Sequence, residues 1–295
     1  MRYTDKIYGT FSLSPLFHDL FQTDVVQRLK RIHQGGAIVL LRPDLNQTRF
    51  EHSVGVMLLI RQLGGSEQEQ VAGLLHDIPH TAFSHLIDYV LELETEDFHE
   101  TRYAEVIQNT NLAATLTKYN YHHSQFLDLE QYKILEYPLP YLCADRIDYT
   151  LRDLFQLGKI SIPKIKWFVK GLRLYENRIV TASAEHAHWF QQQYDYLVNQ
   201  YFNSDENRLV NRAMKTIVKD FLLKGYLTIQ DFYEDDFFVI EKMERQLDST
   251  LSQFVQSTLK SGVDLAEIRL KKRCIDPEVL VKDLPLPLSQ LNITD

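Results

Sequence analysis

A histidine followed at once by an aspartate, His76-Asp77, closes an apolar run in Gly73-Leu74-Leu75-His76-Asp77-Ile78-Pro79-His80. An ionised carboxylate is costly in such surroundings unless a bound cation compensates it. Two further candidate ligands flank the pair in sequence. His52 lies in Thr48-Arg49-Phe50-Glu51-His52-Ser53-Val54-Gly55-Val56, and Asp145 in Cys143-Ala144-Asp145-Arg146-Ile147-Asp148-Tyr149. Two neutral imidazoles and two carboxylates suit one hard-to-borderline divalent metal, with coordination positions left for water and a substrate oxygen. A lone histidine on an apolar helix is more often a hydrogen-bonded core residue, so the metal reading rests on the set and not on any one member.

Such ligands must be carried by helices that face one cleft, and most of the chain reads as helix. Ser66-Glu67-Gln68-Glu69 has the form of a capping box, and Val71, Leu74 and Leu75 supply the apolar stripe of the helix that follows. Pro79 disfavours helical geometry at Ile78, which leaves His76 and Asp77 at a helix end and brings His80 and His85 in on the next segment. Further helical patterns cover 23–33, 50–64, 81–93, 97–108, 140–156, 163–173, 183–203, 206–224 and 235–260. Strand signals are few: Glu176–Thr181 reads as one side of a short hairpin, and Glu267–Lys271 alternates as a strand does. The tail from Gly262, with Pro277, Pro285 and Pro287, reads as a small β or extended appendage. The histidines stop at His188, which confines imidazole chemistry to the first two thirds.

Composition narrows the function classes. The chain of 295 residues is long enough for a large core, and its 44% apolar and 24% charged residues are ordinary for a soluble globular protein. A net charge of -8 argues against a broad nucleic-acid footprint. No stretch has the length and apolarity of a membrane span, and the N-terminus has no secretory apolar region. Two cysteines, Cys143 and Cys274, read as reduced, buried thiols of a cytoplasmic protein.

The order of ligands resembles the HD-domain phosphohydrolase superfamily. From Val26 to Asp153 the chain is similar to the branch containing the SAM-and-HD-domain deoxynucleoside triphosphate triphosphohydrolases. The likeness is carried by Gln27-Arg28-Leu29-Lys30-Arg31-Ile32-His33-Gln34-Gly35, by Arg49 to Val56, by His80-Thr81-Ala82-Phe83-Ser84-His85, by Phe98-His99-Glu100, and by Asp145 to Tyr149 with Arg152-Asp153. The resemblance implies that His52, His76, Asp77 and Asp145 hold one divalent metal, of identity open among Mn, Fe, Co, Ni, Zn and Mg. It places His80, His85 and His99 around a phosphate, with His99 as general acid and Glu100 or another carboxylate to hold its ring. It puts Arg146 and Tyr149 near phosphate, Asp153 near a sugar 3′-hydroxyl, and Gln34 and Tyr201 on the substrate side. Arg49, one turn before His52 on the same helix face, can fork onto a phosphate that touches the metal.

Three departures bear on substrate. Gln34 is followed by Gly35 where the family has leucine, and Gln193 and Leu197 stand where it has a phosphate-contacting arginine and an inward histidine. Glutamine cannot offset triphosphate charge. The expectation is a mainly α protein: an HD-domain helical bundle around a metal site with a small C-terminal α/β appendage. It is divided into a metallohydrolase core (1–175), a helical extension completing the pocket (176–260) and a β or extended tail (261–295). The expected reaction is metal-assisted attack of water on the phosphorus of a small phosphorylated substrate, a nucleotide, with a deoxynucleoside triphosphate as the single best candidate. Alternatives are a phosphatase or phosphodiesterase on mono-, di- or cyclic nucleotides, and a catalytically weak nucleotide-binding regulatory module. A di-iron oxygenase is disfavoured because the sequence offers no clear second set of ligands. Homo-oligomer formation is left open.

Overall fold

The computed structural model describes residues 2–93, 97–108, 111–262 and 273–291. A hairpin of β1 (Arg2–Asp5) and β2 (Gly9–Ser12) leads into two short helices, α1 (Pro15–Phe21) and α2 (Asp24–Arg28). Next come α3 (Arg49–Gln62), α4 (Glu67–Leu75) and α5 (Leu86–Leu91), then α6 (Tyr103–Gln108), α7 (Asn111–Lys118), α8 (Ala144–Gln156) and α9 (Ile162–Lys170). After a second hairpin, β3 (Leu172–Tyr175) and β4 (Arg178–Thr181), the chain continues as α10 (Ala184–Leu197), α11 (Asp205–Leu223), α12 (Asp236–Glu244) and α13 (Leu251–Lys260). Two last strands, β5 (Glu278–Val281) and β6 (Leu284–Pro287), complete a sheet of order β3-β4-β5-β6. No helix among the described residues is long and apolar enough to cross a membrane.

The helix starts follow from capping chemistry. Thr48 and Glu51 form a reciprocal capping box at α3, as Ser66 and Glu69 do at α4. α3 is buried on nearly all sides, with Val54, Val56, Leu58, Leu59 and Ile60 fully enclosed. Each such side chain contributes about 1.5–3 kcal/mol of transfer free energy. α3 packs on α4 and α8 in the main core; a second core forms where α11 packs on α5, α13 and a 3-10 turn at Gly36–Leu40.

Several elements differ from the sequence expectation, each for a local reason. The helix expected over 81–93 begins only at Leu86, because Phe83 and Ser84 sit in the left-handed region at φ 56° and 57°. The one expected over 140–156 begins at Ala144, after the extended Cys143. α9 gives way to β3 after Gly171, and α10 ends at Leu197 in a π turn, Val198–Phe202. The span 235–260 is two helices, the second opened by a Thr250–Gln253 capping box. Glu176 and Asn177, expected in a strand, form the left-handed turn between β3 and β4 at φ 47° and 62°. The strand expected at 267–271 lies outside the described residues. Cys143 is buried as expected, whereas Cys274 is exposed.

Candidate metal centre

The expected ligands converge. His52 lies in the first turn of α3, His76 caps the C-terminus of α4 with Asp77 next to it, and Asp145 lies in the first turn of α8. His52 Nε2 is 2.9 Å from Asp145 Oδ1 and 3.3 Å from His76 Nε2. His76 Nε2 in turn lies 3.4 Å from Asp77 Oδ1 and 3.5 Å from Asp145 Oδ1. The remaining ring nitrogens are held from outside, His52 Nδ1 by Asp148 Oδ2 at 2.8 Å and His76 Nδ1 by the Gly73 carbonyl at 2.8 Å. This orients both Nε2 atoms inward. Two imidazole nitrogens that face each other between two carboxylates fit a divalent cation.

The electrostatics agree. Burial opposes a charge on His52, yet hydrogen bonds to Asp145 and Asp148 lift its pKa to about 10. Burial likewise opposes the charge on Asp77, but Arg49, His76 and His80 hold its carboxyl well below the usual range. Asp145 is depressed in the same way by His52 and His76. The same carboxylates that favour a proton on His52 would favour a cation in its place, because a ligating imidazole is neutral.

Behind the ligands stands a buried ion chain. Asp148 accepts both a nitrogen of Arg152 at 2.9 Å and His52, and Arg152 reaches on to Asp5 Oδ2 at 2.9 Å. Gly55 on α3 makes room for it: a Cβ there would fall inside the Asp148 carboxylate and the Arg152 guanidinium. Neither Asp148 nor Gly55 was singled out from the sequence, although an acid one helical turn before an arginine on an apolar helix was a readable signal.

Beside the ligands lies an imidazole cluster. One ligand atom each of His80, His85 and His99 lies within 4.8 Å of the others, and the His80 and His99 rings stack at 3.8 Å. His80 Nε2 is 3.2 Å from Asp77 Oδ1. The expectation of no second ligand set is therefore corrected, since these donors do converge. Their surroundings favour an anion, however. Burial and the adjacent Arg49 push His80 well down, and burial, His85 and Arg49 hold His99 down to about 3. A neighbouring guanidinium that repels protons also repels a second dication. Glu100 does not hold the His99 ring: His99 Nδ1 is buried without a hydrogen bond, whereas Asp88 Oδ2 lies 3.4 Å from His85 Nδ1.

Arg49 is buried, its Nη1 on Asp77 Oδ2 at 2.7 Å and its Nε on Ser84 Oγ at 2.9 Å. It lines the cleft together with Gln34, Arg146, Tyr149, Asp153 and Tyr201. Arg146 Nη1 donates to the carbonyls of Tyr137 and Tyr141 and to Cys143 Sγ, which staples the segment before α8. The Tyr149 hydroxyl is 3.4 Å from that of Tyr194. Asp153 accepts from Gln47 at 3.3 Å, and burial pushes its carboxyl up to about 7. Tyr201 stands on the π turn, an irregularity often found at functional sites. Gln193 and Leu197 are absent from the lining. Two more lining or supporting residues, besides Asp148 and Gly55, were missed in the sequence. Glu136 faces the cleft with a carboxylate oxygen within 4.8 Å of one on Asp145, and burial and Asp145 raise its pKa. Asp236, from α12, accepts from the backbone of His33 and Phe83 and from His33 Nδ1.

The HD domain profile matches residues 49–153, the stretch that carries all of the ligands. The chain is 36% identical to the uncharacterized protein YdhJ of Bacillus subtilis across 96% of its own length and 90% of that protein. It is 40% identical to the metal-dependent phosphohydrolase cns2 of Cordyceps militaris over 58% of this chain and 50% of that one. It is also 36% identical to the human deoxynucleoside triphosphate triphosphohydrolase SAMHD1, over 28% of this chain and 16% of that enzyme. The end-to-end likeness to YdhJ and the profile match over the ligand-bearing helices place this chain in the HD-domain family.

Proposed function

We propose that the protein is a metal-dependent phosphohydrolase acting on a nucleotide. One observation carries the reading: His52, His76, Asp77 and Asp145 converge at a cleft that also presents Arg49, His80, His85 and His99. A divalent metal held by the four ligands would lower the pKa of water and neutralise phosphate charge. The chain's own residues do the rest. Asp148 and the Gly73 carbonyl orient the two metal-binding rings, and Arg49 fixes Asp77 while its guanidinium faces the phosphoryl group. His80 and His85 line the place where the phosphoryl oxygens sit. His99 is neutral in the free protein; a phosphoryl dianion offsets the influence of burial, His85 and Arg49 and lets it take up a proton. That proton is then delivered to the leaving oxygen. Asp153, Gln34 and Tyr201 form the wall against which the sugar is positioned, Tyr149 lies on the phosphate side, and Arg146 holds the segment preceding α8.

A deoxynucleoside triphosphate is the first substrate to test, on the likeness to SAMHD1. Glutamine at position 193, where the resemblance implies a phosphate-contacting arginine, favours the second reading, a phosphatase or phosphodiesterase on mono-, di- or cyclic nucleotides. The deciding experiment is chromatography of products from dNTPs, nucleoside monophosphates and cyclic nucleotides, each with manganese, iron, cobalt or magnesium. Intact tripolyphosphate identifies the triphosphohydrolase, and orthophosphate from monophosphates identifies the phosphatase. Tight nucleotide binding without turnover under any metal would refute the enzyme reading and leave a binding module.

A further inference from the structure

α11 brings a row of cations into the same cleft. Arg208, Arg212 and Lys215, spaced four and three residues apart, share one face of the helix. The opposite face buries Val210, Ala213, Met214, Ile217, Val218 and Phe221 in the second core. All three cations line the cleft that holds the metal ligands. They are recessed, not free surface charges: the side chains of Arg208 and Lys215 are 18% and 20% exposed. Two of the acids that pair with them are exposed instead. Asp205, 3.3 Å from Arg208, is 75% exposed, and Glu92, 3.0 Å from Lys215, is 62% exposed. Such solvent-screened pairs are weak and exchangeable. A phosphate presented inside the cleft would receive stronger, charge-assisted bonds from the same groups.

Size and layout add to this. The cleft encloses about 1610 Å³, beyond the roughly 300–1,000 Å³ usual for a small-molecule site. Arg49 and the three imidazoles already serve one phosphoryl group at the metal centre, and they come from different elements than the α11 row. α10, where the resemblance implies a phosphate-binding arginine, contributes Tyr194 to the lining and neither Gln193 nor Leu197. Among the described residues, α11 supplies lining cations that α10 does not.

We propose that α11 is a second phosphate subsite, so that the substrate carries another phosphate besides the one attacked at the metal centre, held by Arg208, Arg212 and Lys215. This rests on the phosphohydrolase reading for the identity of the first site. The second phosphate can come from a separate ester on the sugar or from the far end of a polyphosphate chain. The chemistry recognised is the same, and the probes separate the two.

The test is calorimetric titration of the as-purified protein with hydrolysis-resistant phosphorothioate forms of AMP, ATP and adenosine 3′,5′-bisphosphate. At least one of the last two binds about tenfold or more tightly than the AMP form, and which one does so names the source of the phosphate. Arg208→Gln combined with Arg212→Gln abolishes that gain while leaving affinity for the AMP form within twofold. Arg212→Lys, which keeps the charge and the fold, retains most of the gain, and in the wild type the gain shrinks as salt is raised. Equal affinity for all three probes, no binding of any, or a gain that survives the double substitution would overturn the proposal. The phosphohydrolase reading fails separately, by absence of turnover on natural nucleotides, and that result would leave a charge-dependent calorimetric gain in place.

Discussion

Replacing Asp148 with Asn tests whether the ion chain behind His52 holds the metal ligand or only the fold. Asp148 is fully buried and contacts both His52 Nδ1, at 2.8 Å, and Arg152. Removing one partner of a buried pair typically costs about 3–5 kcal/mol. Arg152 keeps Asp5 at 2.9 Å, so the lower end, about 3 kcal/mol, is expected. At roughly 2 °C per kcal/mol for a chain of this size, the melting temperature should fall by about 6 °C. Loss of an outer hydrogen bond to a ligating imidazole should weaken metal affinity by about 10–100-fold, measured by competition with a chelator of known affinity. Asp5→Asn is the control, because it removes the other acid from Arg152 without touching His52. It should lower stability by a similar amount and leave metal affinity unchanged. The pH dependence has a definite sign. Burial raises the Asp148 carboxyl, but Arg152 and His52 outweigh it and leave the pKa lowered. The stability advantage of wild type over Asp148→Asn is therefore present above the ordinary carboxylate pKa and is lost as the pH falls through the depressed one. If Asp148→Asn kept wild-type metal affinity while losing stability, the orienting role would be wrong. If both variants lost metal affinity equally, the effect would be a general loosening of the core.

Three further perturbations probe separate parts of the site. His76→Ala and Asp145→Ala should each abolish metal binding in elemental analysis, whereas His99→Ala should keep the metal and lower turnover by about 10²–10⁴-fold; metal loss in the His99 variant would make it a ligand. Gly55→Ala should destabilise by about 1–3 kcal/mol through overpacking against Asp148 and Arg152, read from denaturant midpoints, and an unchanged midpoint would show that α3 and α8 can part freely. Burial pushes the Cys143 thiol up to about 12, so only the exposed Cys274 should be alkylated by iodoacetamide at pH 8, and mass spectrometry finding label on native Cys143 would contradict its enclosure.

The candidate metal ligands were legible as a set: His76-Asp77 puts a carboxylate that cannot be buried alone into an apolar run, and His52 and Asp145 follow from their order and flanking residues, which resemble the HD-domain superfamily. His76-Asp77 at the end of Val71, Leu74 and Leu75 is the clearest case, and the capping box at Ser66 located the helix that carries it. The supporting residues were harder to see for a physical reason. Asp148 satisfies His52 from ninety-six residues away, and Asp236 satisfies His33 and Phe83 from more than a hundred and fifty, so neither leaves a local signature. Helix boundaries went astray where tertiary bonds override propensity. Phe83 carries no turn signal and Ser84 only a weak one, yet both are left-handed, because Asp236 takes the Phe83 amide and Ser84 Oγ donates to the His33 carbonyl. The cations of α11 were hidden differently: their spacing was visible, but which face of that helix meets the cleft was not.

These contacts also link the His80, His85 and His99 cluster to the candidate metal ligands. Non-glycine residues in the left-handed region cost on the order of 1 kcal/mol each and persist only where their surroundings over-determine them. The Phe83–Ser84 turn is fixed at both residues, and the second bond at Ser84 Oγ comes from Arg49, whose Nη1 holds Asp77. One guanidinium thus ties the strained turn, and with it the placement of His80 and His85, to a metal ligand on a different segment. The remaining anchor, Asp236, lies in the part of the chain that carries none of the metal ligands or cluster histidines. The helices after residue 176 are therefore structural partners of the centre as well as walls of its cleft, because without α12 the turn would have no acceptor for the Phe83 amide and no reason to stay left-handed.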